Sequence, residues 1–332
     1  YHLIYGAADG DVSGDPSCAV CQSFSLLERA TGRRYSTYVH AADHNDFNCC
    51  GFQDYCGDDN CPPQLGRDNV QQLTRGVYLA LLESVIRGRP QAEDFLFRPW
   101  EDLRPIGAPE STIVHEFQPD AGDPASGAFV IDDFQTAASL GQSSSGGAVS
   151  GTVSVRSEGR LDDNNNTFTA TASDPMNGMT RGRGSDQTRG TVFQWSGPAT
   201  LEFEVVPAGR DFAARTWLSW RSCVATRDPL NAGAGDDLDY SVTLVDSAGR
   251  ESTIRLSAYG GGVQKPFART GAGGGSGWGN EFETHRIRVA DFARDGREID
   301  LSDIVAVRLD FGGAAGSESG RIGLDDLMVI DR

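Results

Sequence analysis

The chain has 332 residues, with 29 Lys and Arg against 47 Asp and Glu, for a formal net charge of −18. That length suits about two domains of roughly 100–200 residues each. The acidic surplus argues against nucleic acid or anionic lipid as a partner, since both call for basic patches, and no run approaches the ~20 apolar residues of a membrane-spanning helix.

In chain order, residues 1–8 (YHLIYGAA) read as the end of a buried strand. Six of the seven cysteines then crowd together as Cys18, Cys21, Cys49, Cys50, Cys56 and Cys61, while Cys223 stands alone. Such density reads as a disulfide framework in a secreted protein. A zinc site is the rival, because Cys18-x-x-Cys21 and Cys56-x4-Cys61 have ligand-like spacing; the adjacent Cys49-Cys50 pair favours bridging. Residues 22–30 form a short amphipathic helix stopped by Gly32. Residues 34–42, rich in aromatic and β-branched side chains, read as a second strand. The strongest helical signal covers 69–87, where Leu73, Val77, Leu81 and Val85 recur every four residues with Tyr78, Leu82 and Ile86 beside them. Asp68 is placed to cap its start and Gly88 to end it.

Residues 104–127, rich in Pro, Gly and acids, behave as a linker between a first unit (1–103) and a second (128–332). In the second unit short alternating segments recur between turn clusters: AFVIDDFQ, GTVSVR, TLEFEVV, ARTWLSWRS, LDYSVTLVD, FETHRIRV, IVAVRLDF and RIGLDDLMVI. That spacing argues an antiparallel β-sandwich of jelly-roll type. The expected fold is therefore multi-domain, partial α/β followed by all-β.

Strand–helix–strand order makes the first two strands parallel, so both end on one edge of their sheet. Just past those ends lie Asp9 (in YGAADGD) and His44 (in HAADHNDF). A carboxylate beside an imidazole fixes its tautomer and stabilises the imidazolium, as a general base activating a serine requires. Asp11 is the alternative acid, two residues further along. His40 reads as structural, and Asp43 and Asp46 as solvated loop carboxylates flanking His44.

This segment resembles the C-terminal third of an α/β-hydrolase. Gly6-Ala-Ala-Asp9 matches the acid turn, Ala41-Ala-Asp-His44 the histidine turn, and 69–87 the terminal helix. The resemblance implies a secreted serine hydrolase acting on an ester or related acyl bond, with Asp9 orienting His44. It also implies a nucleophile upstream of Asp9, and G-x-S-x-G occurs nowhere in the 332 residues. The missing partner is then an N-terminal hydrolase segment, and the chain is not expected to be active alone. A non-enzymatic secreted carbohydrate-, surface- or adhesion-type binding protein is the alternative.

The second unit resembles a bacterial carbohydrate-binding or galactose-binding-like module. Its paired ends VIDDF and GLDDL place Asp132, Asp133, Asp325 and Asp326 as oxygen donors for a structural calcium. A polysaccharide or polymer surface is the implied partner. Trp195, Trp217, Trp220 and Trp278 are candidates for stacking on sugar rings, Trp278 in its glycine-rich loop foremost. Trp217 and Trp220, three apart, point to opposite faces of a regular strand, so at most one joins an exposed platform.

Overall fold

The computed structural model of the chain describes residues 1–6, 9, 23–39, 42–50, 65–97, 113–120, 126–136, 139–161, 171–176, 179, 188–225, 228–231, 237–259, 261–264, 282–294 and 296–331. Strand β1 (His2–Gly6) leads through helix α1 (Ser23–Arg29) to strand β2 (Arg34–Val39). The two strands pair in parallel, His2 opposite Tyr35 and Gly6 opposite Val39. Strand β3 (Ile113–Gln118) pairs antiparallel on the other side of β2. The expectation of a linker over 104–127 is corrected here, because all six residues of β3 are buried. A strand buried on both faces shows no alternation, so IVHEFQ hides among its loop-like neighbours.

Helix α2 (Arg67–Val85) buries Val70, Leu73, Val77 and Ala80 in one cluster with Tyr35, Val39, Ile113 and Phe117. Its start follows Gly66 rather than an Asp68 cap. Its end is a left-handed Gly88 (φ 63°) whose N–H donates to Ser84 O at 3.0 Å, a conformation that glycine adopts without the Cβ penalty. Helix α3 (Pro90–Phe97) follows at once and packs on α2. The apolar repeat is wider than the face it buries: Tyr78, Leu79, Leu82, Val85 and Ile86 remain exposed.

The sandwich is built from β4 (Phe129–Asp132), β5 (Val149–Gly151), β6 (Ser154–Arg160), β7 (Arg189–Ser196), β8 (Ala199–Glu204), β9 (Trp217–Val224), β10 (Ser241–Asp246), β11 (Glu251–Arg255), β12 (Glu283–Arg288), β13 (Ile304–Phe311) and β14 (Ser319–Ile330). One sheet has the order β11-β10-β13-β8-β5; the other runs β12-β9-β14-β7-β6, with β4 also on β14. All these pairings are antiparallel. Every alternating segment picked out in the sequence overlaps one of these strands; RGTVFQWS (β7) and ESTIR (β11) were not among them. The inner faces enclose a core of Phe193, Trp195, Phe203, Trp220, Tyr240 and Phe311 with their aliphatic neighbours.

The two units share a core rather than hanging from a tether. Trp217, Met328 and Ile330, on the outer face of the β12-β9-β14 sheet, belong to the same cluster as α2 and Phe117. The Thr284 hydroxyl accepts from Phe117 N at 2.8 Å and donates to Phe117 O at 3.2 Å. It thereby occupies the edge of β3 that faces away from β2, as does Gln264, whose Nε2 donates to Ile113 O at 3.1 Å.

Candidate functional site

Gly6 ends β1 where the backbone after β2 crosses close by: a Cβ there would sit 2.1 Å from Ala42 O. Only glycine allows that approach, and it draws the two loops at the strand ends together. Asp9 and His44 lie in those loops, and His44 Nδ1 is 3.1 Å from Asp9 Oδ2. The Asp9 side chain is 3% exposed and that of His44 is 36% exposed. A buried carboxylate accepting from Nδ1–H leaves Nε2 as the basic nitrogen of the imidazole, on the more open side chain.

His44 opens a short 3-10 turn, His44–Phe47. Asp43 caps it: its Oδ1 accepts from Asn45 N at 2.7 Å and Asp46 N at 3.1 Å, while Asp46 Oδ2 accepts from Asp43 N at 3.2 Å. This reciprocal capping box fixes the backbone that carries the imidazole. Asp43 and Asp46 are fully buried, which corrects their reading as solvated loop carboxylates. The D-x-x-D spacing around His44 was the available signal. Helix α2 braces the same loop, with Arg67 Nε donating to Asn45 O at 3.2 Å and Gln71 Nε2 to Asn48 O at 2.8 Å. Asp11 and His40 lie outside the described residues.

The four carboxylates expected to hold calcium are not assembled for a metal. Strict alternation would send Asp325 and Asp326 to opposite faces, but β14 bulges there and Asp326 is left-handed (φ 52°). The bulge re-aims both acids onto one buried guanidinium, Arg221, with Nη2–Asp325 at 2.5 Å and Nε–Asp326 at 2.9 Å. The same Arg221 holds Glu28 of α1 at 2.5 Å and Glu116 of β3 at 2.6 Å. Burial pulls its pKa down, but the surrounding carboxylates, Glu28 foremost, hold it well above the ordinary arginine value. Desolvation first, and then its neighbour Asp326, push Asp325 well above the carboxylate range. Asp132 Oδ1 is occupied by the N–H groups of Phe134 and Ser144, and Asp133 Oδ1 by that of Gln135. Among the described residues no group of three or more His, Cys, Asp or Glu is placed to hold a metal ion.

The tryptophans expected to stack on sugars are largely interior. Trp195 and Trp220 lie in the sandwich core, Trp220 Nε1 donating to the Tyr240 hydroxyl at 2.7 Å. Trp217 points the opposite way, as its spacing required, and is 9% exposed against the first unit. Trp278 lies outside the described residues, as do Cys18, Cys21, Cys56 and Cys61. Among the described residues Cys49, Cys50 and Cys223 form no disulfide.

No family model matches the chain, and no curated protein matches it. Among solved structures it is similar to the family 11 carbohydrate-binding module of cellulosomal cellulase Lic26A-Cel5E of Clostridium thermocellum, at 9% identity and a TM-score of 0.34, covering 63% of this chain and 96% of that one. A family 30 carbohydrate-binding module of cellulosomal cellulase Cel9D-Cel44B of Clostridium thermocellum is similar at 8% identity and a TM-score of 0.31, covering 53% of this chain and 98% of that one. A β-1,2-glucanase from Parabacteroides distasonis is similar at 12% identity and a TM-score of 0.33, over 63% of this chain and 26% of that one. At these scores the likenesses do not bear on function.

Proposed function

We propose that Asp9 and His44 form the proton-transfer pair of a serine-type acyl hydrolase. The observation that supports it is the 3.1 Å Nδ1–Oδ2 contact between a buried acid and a half-buried histidine, set side by side by parallel strands. In this reading His44 Nε2 takes the proton of an attacking hydroxyl as its oxygen bonds to the acyl carbon, and Asp9 balances the imidazolium. The tetrahedral adduct then collapses, His44 delivers that proton to the departing alcohol, and water deprotonated by His44 next attacks the acyl-enzyme, releasing the acid as the proton returns to the hydroxyl. This reading leaves the nucleophilic hydroxyl unassigned, since G-x-S-x-G occurs nowhere in the 332 residues.

The test follows hydrolysis of p-nitrophenyl acetate by the protein as its gene encodes it. His44→Ala lowers kcat/KM by about 10²–10⁴-fold, the usual worth of a positioned acid–base group. An unchanged rate in that variant overturns the proposal. In the 332-residue chain alone, the His44 Nδ1 proton gives a downfield NMR resonance that Asp9→Asn abolishes.

A second reading, binding without catalysis, is favoured by one separate observation, an open cleft where the two units meet.

A further inference from the structure

This inference rests on the second reading, binding without catalysis, and concerns the class of ligand bound. The end of α2, the start of α3 and the ends of β9 and β12 border a cleft of about 340 Å³. Arg33, Arg89, Glu93 and Asp94 line it from the α/β side, Arg288 and Asp331 from the sandwich side. The carboxylates here are shared among too many cations. Glu93 Oε1 takes Arg33 and, at 3.5 Å, the buried Arg286 beneath the lining. Glu83 is divided between Arg87 at 2.7 Å and Arg89 at 2.9 Å. Asp94 pairs with Arg288, and Asp331 with Arg215 at 3.3 Å. Among the described residues six guanidiniums thus share four carboxylates, leaving two positive charges unmatched in a chain whose net charge is −18.

The surplus decides the ligand class. Arg286 and Arg288, two apart on β12, share one face of that strand, and their guanidiniums lie 5.9 and 5.1 Å from the Trp217 ring centre. Trp217 is therefore covered by cations and offers no face to a sugar ring. Like charges gathered this closely repel one another, and a neighbouring anion relieves them. Depth favours the same ligand. The doubly used Glu93 side chain is 11% exposed, whereas those of Arg89 and Arg288 are 60% and 44% exposed. A solute entering the cleft meets guanidinium N–H groups before that carboxylate, and the rim acids Asp94 and Asp331 are each already held by an arginine. Guanidinium forks take oxyanions through paired N–H···O bonds, and Thr216 adds a hydroxyl to the same wall.

The cleft is remote from the Asp9–His44 pair. His44 sits by the start of α2 and the cleft lies at its end, so the 19 residues of that helix separate them, about 28 Å at ~1.5 Å per residue. A ligand here therefore ties the two units together rather than reacting. The volume sits at the small end of ligand pockets, roughly 300–1,000 Å³, and two ligand charges match the two left over. We propose that this junction cleft binds a small divalent oxyanion, held by Arg33 from one unit and Arg288 from the other, with Arg89 at the rim.

The test titrates the ¹⁵N-labelled full chain at low ionic strength with inorganic phosphate, sulfate and malonate. Sodium chloride at matched ionic strength and cellobiose are the controls. At least one divalent anion shifts the Arg288 and Arg89 Nε–H resonances saturably and raises Tm, and the controls do neither. Arg288→Gln weakens binding at least about tenfold, the worth of one charge-assisted hydrogen bond. Arg89→Gln, at the exposed rim, weakens it less and leaves the packing intact. Asp94→Asn removes a competing carboxylate and tightens binding about threefold; a loss of affinity in that variant overturns the anion class. Phosphate and sulfate acting without malonate mark a tetrahedral oxyanion, malonate without them a dicarboxylate, and all three a site that reads charge; each supports the proposal. Chloride producing the same shifts reduces them to screening and overturns it. Cellobiose moving these resonances while the anions do not overturns the anion class and leaves binding without catalysis standing. No response to any solute overturns both.

Discussion

Between its two sheets the sandwich buries Phe193, Trp195, Phe203 and Trp220 among aliphatic side chains, with Trp220 Nε1 donating to the buried Tyr240 hydroxyl across them. Where the outer face of the same sheet meets the α/β unit, charge is buried instead. Arg221 is ringed by Glu28, Glu116, Asp325 and Asp326. Arg286 is fully buried, its guanidinium 4.2 Å from the Phe117 ring centre and 3.5 Å from Glu93, and desolvation lowers its pKa to about 10. An apolar core tolerates many arrangements of similar volume, whereas a buried guanidinium among carboxylates is satisfied in one register. The sandwich interior thus supplies stability, and the junction fixes how the two units sit on each other.

Five variants try to break that contrast, the largest effect first. Arg221→Met leaves four carboxylates buried without their cation and costs about 3–5 kcal/mol, read as the urea midpoint at pH 7. The loss eases on acidification. Asp325 and Asp326 are already raised by desolvation, so the folded state binds their protons more tightly than the unfolded chain. Their contribution is present below the unfolded value near 4 and is lost as pH rises through the folded value. Removing the arginine raises both further and steepens that slope.

Buried histidines in each unit pull the other way. His115, hydrogen-bonded to Thr37 Oγ1 at 2.9 Å in the small sheet, and His285 in the sandwich are both lowered by desolvation to about 3. Their stability contribution is present above the unfolded value of about 6.5 and is lost as pH falls toward 3. By pH 4 each forfeits on the order of 3 kcal/mol. His115→Asn and His285→Asn each flatten the fall in Tm between pH 6.5 and 4, whatever their effect at pH 7. An unchanged slope in either variant removes that histidine from the account.

Gly6→Ala tests the site-bearing end of the α/β unit. The new methyl meets Ala42 O at 2.1 Å, and the overpacking costs about 1–3 kcal/mol. Because the clash separates the loops of Asp9 and His44, the downfield Nδ1 resonance is lost along with stability. Retention of that resonance would detach the pairing from the glycine.

Much of this contrast was legible in the residue pattern, and its limits have physical causes. Parallel pairing of β1 and β2 follows from strand–helix–strand order, and Asp9 with His44 from where parallel strands end. The sandwich strands announce themselves by period-2 alternation because each has one face in the core. Strand β3 was hidden because both its faces are buried. Asp325 and Asp326 were misread because a bulge, which no alternation rule anticipates, turns both toward one partner. That partner, Arg221, sits on β9, over a hundred residues earlier, and no local pattern links it to Glu28 or Glu116. Buried charge pairs join distant segments one residue at a time and leave no period to read.

The smallest effect belongs to the surface of the sandwich, where ion pairing looks as dense as at the junction. Arg308 on β13 meets Glu251 through Nη1 at 2.9 Å and Nη2 at 2.8 Å, and Asp310 through Nε at 2.8 Å. Its hydrogen bonds to Glu251, ahead of the other influences, raise its pKa, and the same contact lowers that of Glu251. Yet Glu251 is half exposed, so solvent and salt screen the pair. Arg308→Gln therefore costs less than about 1 kcal/mol in urea unfolding, and raising the salt concentration shrinks even that. Loss of the guanidinium at Arg221 differs in that its carboxylate partners are shielded from water. If the two variants unfold at the same midpoint, burial does not set the worth of these arginines, and the junction loses its role in holding the two units in register.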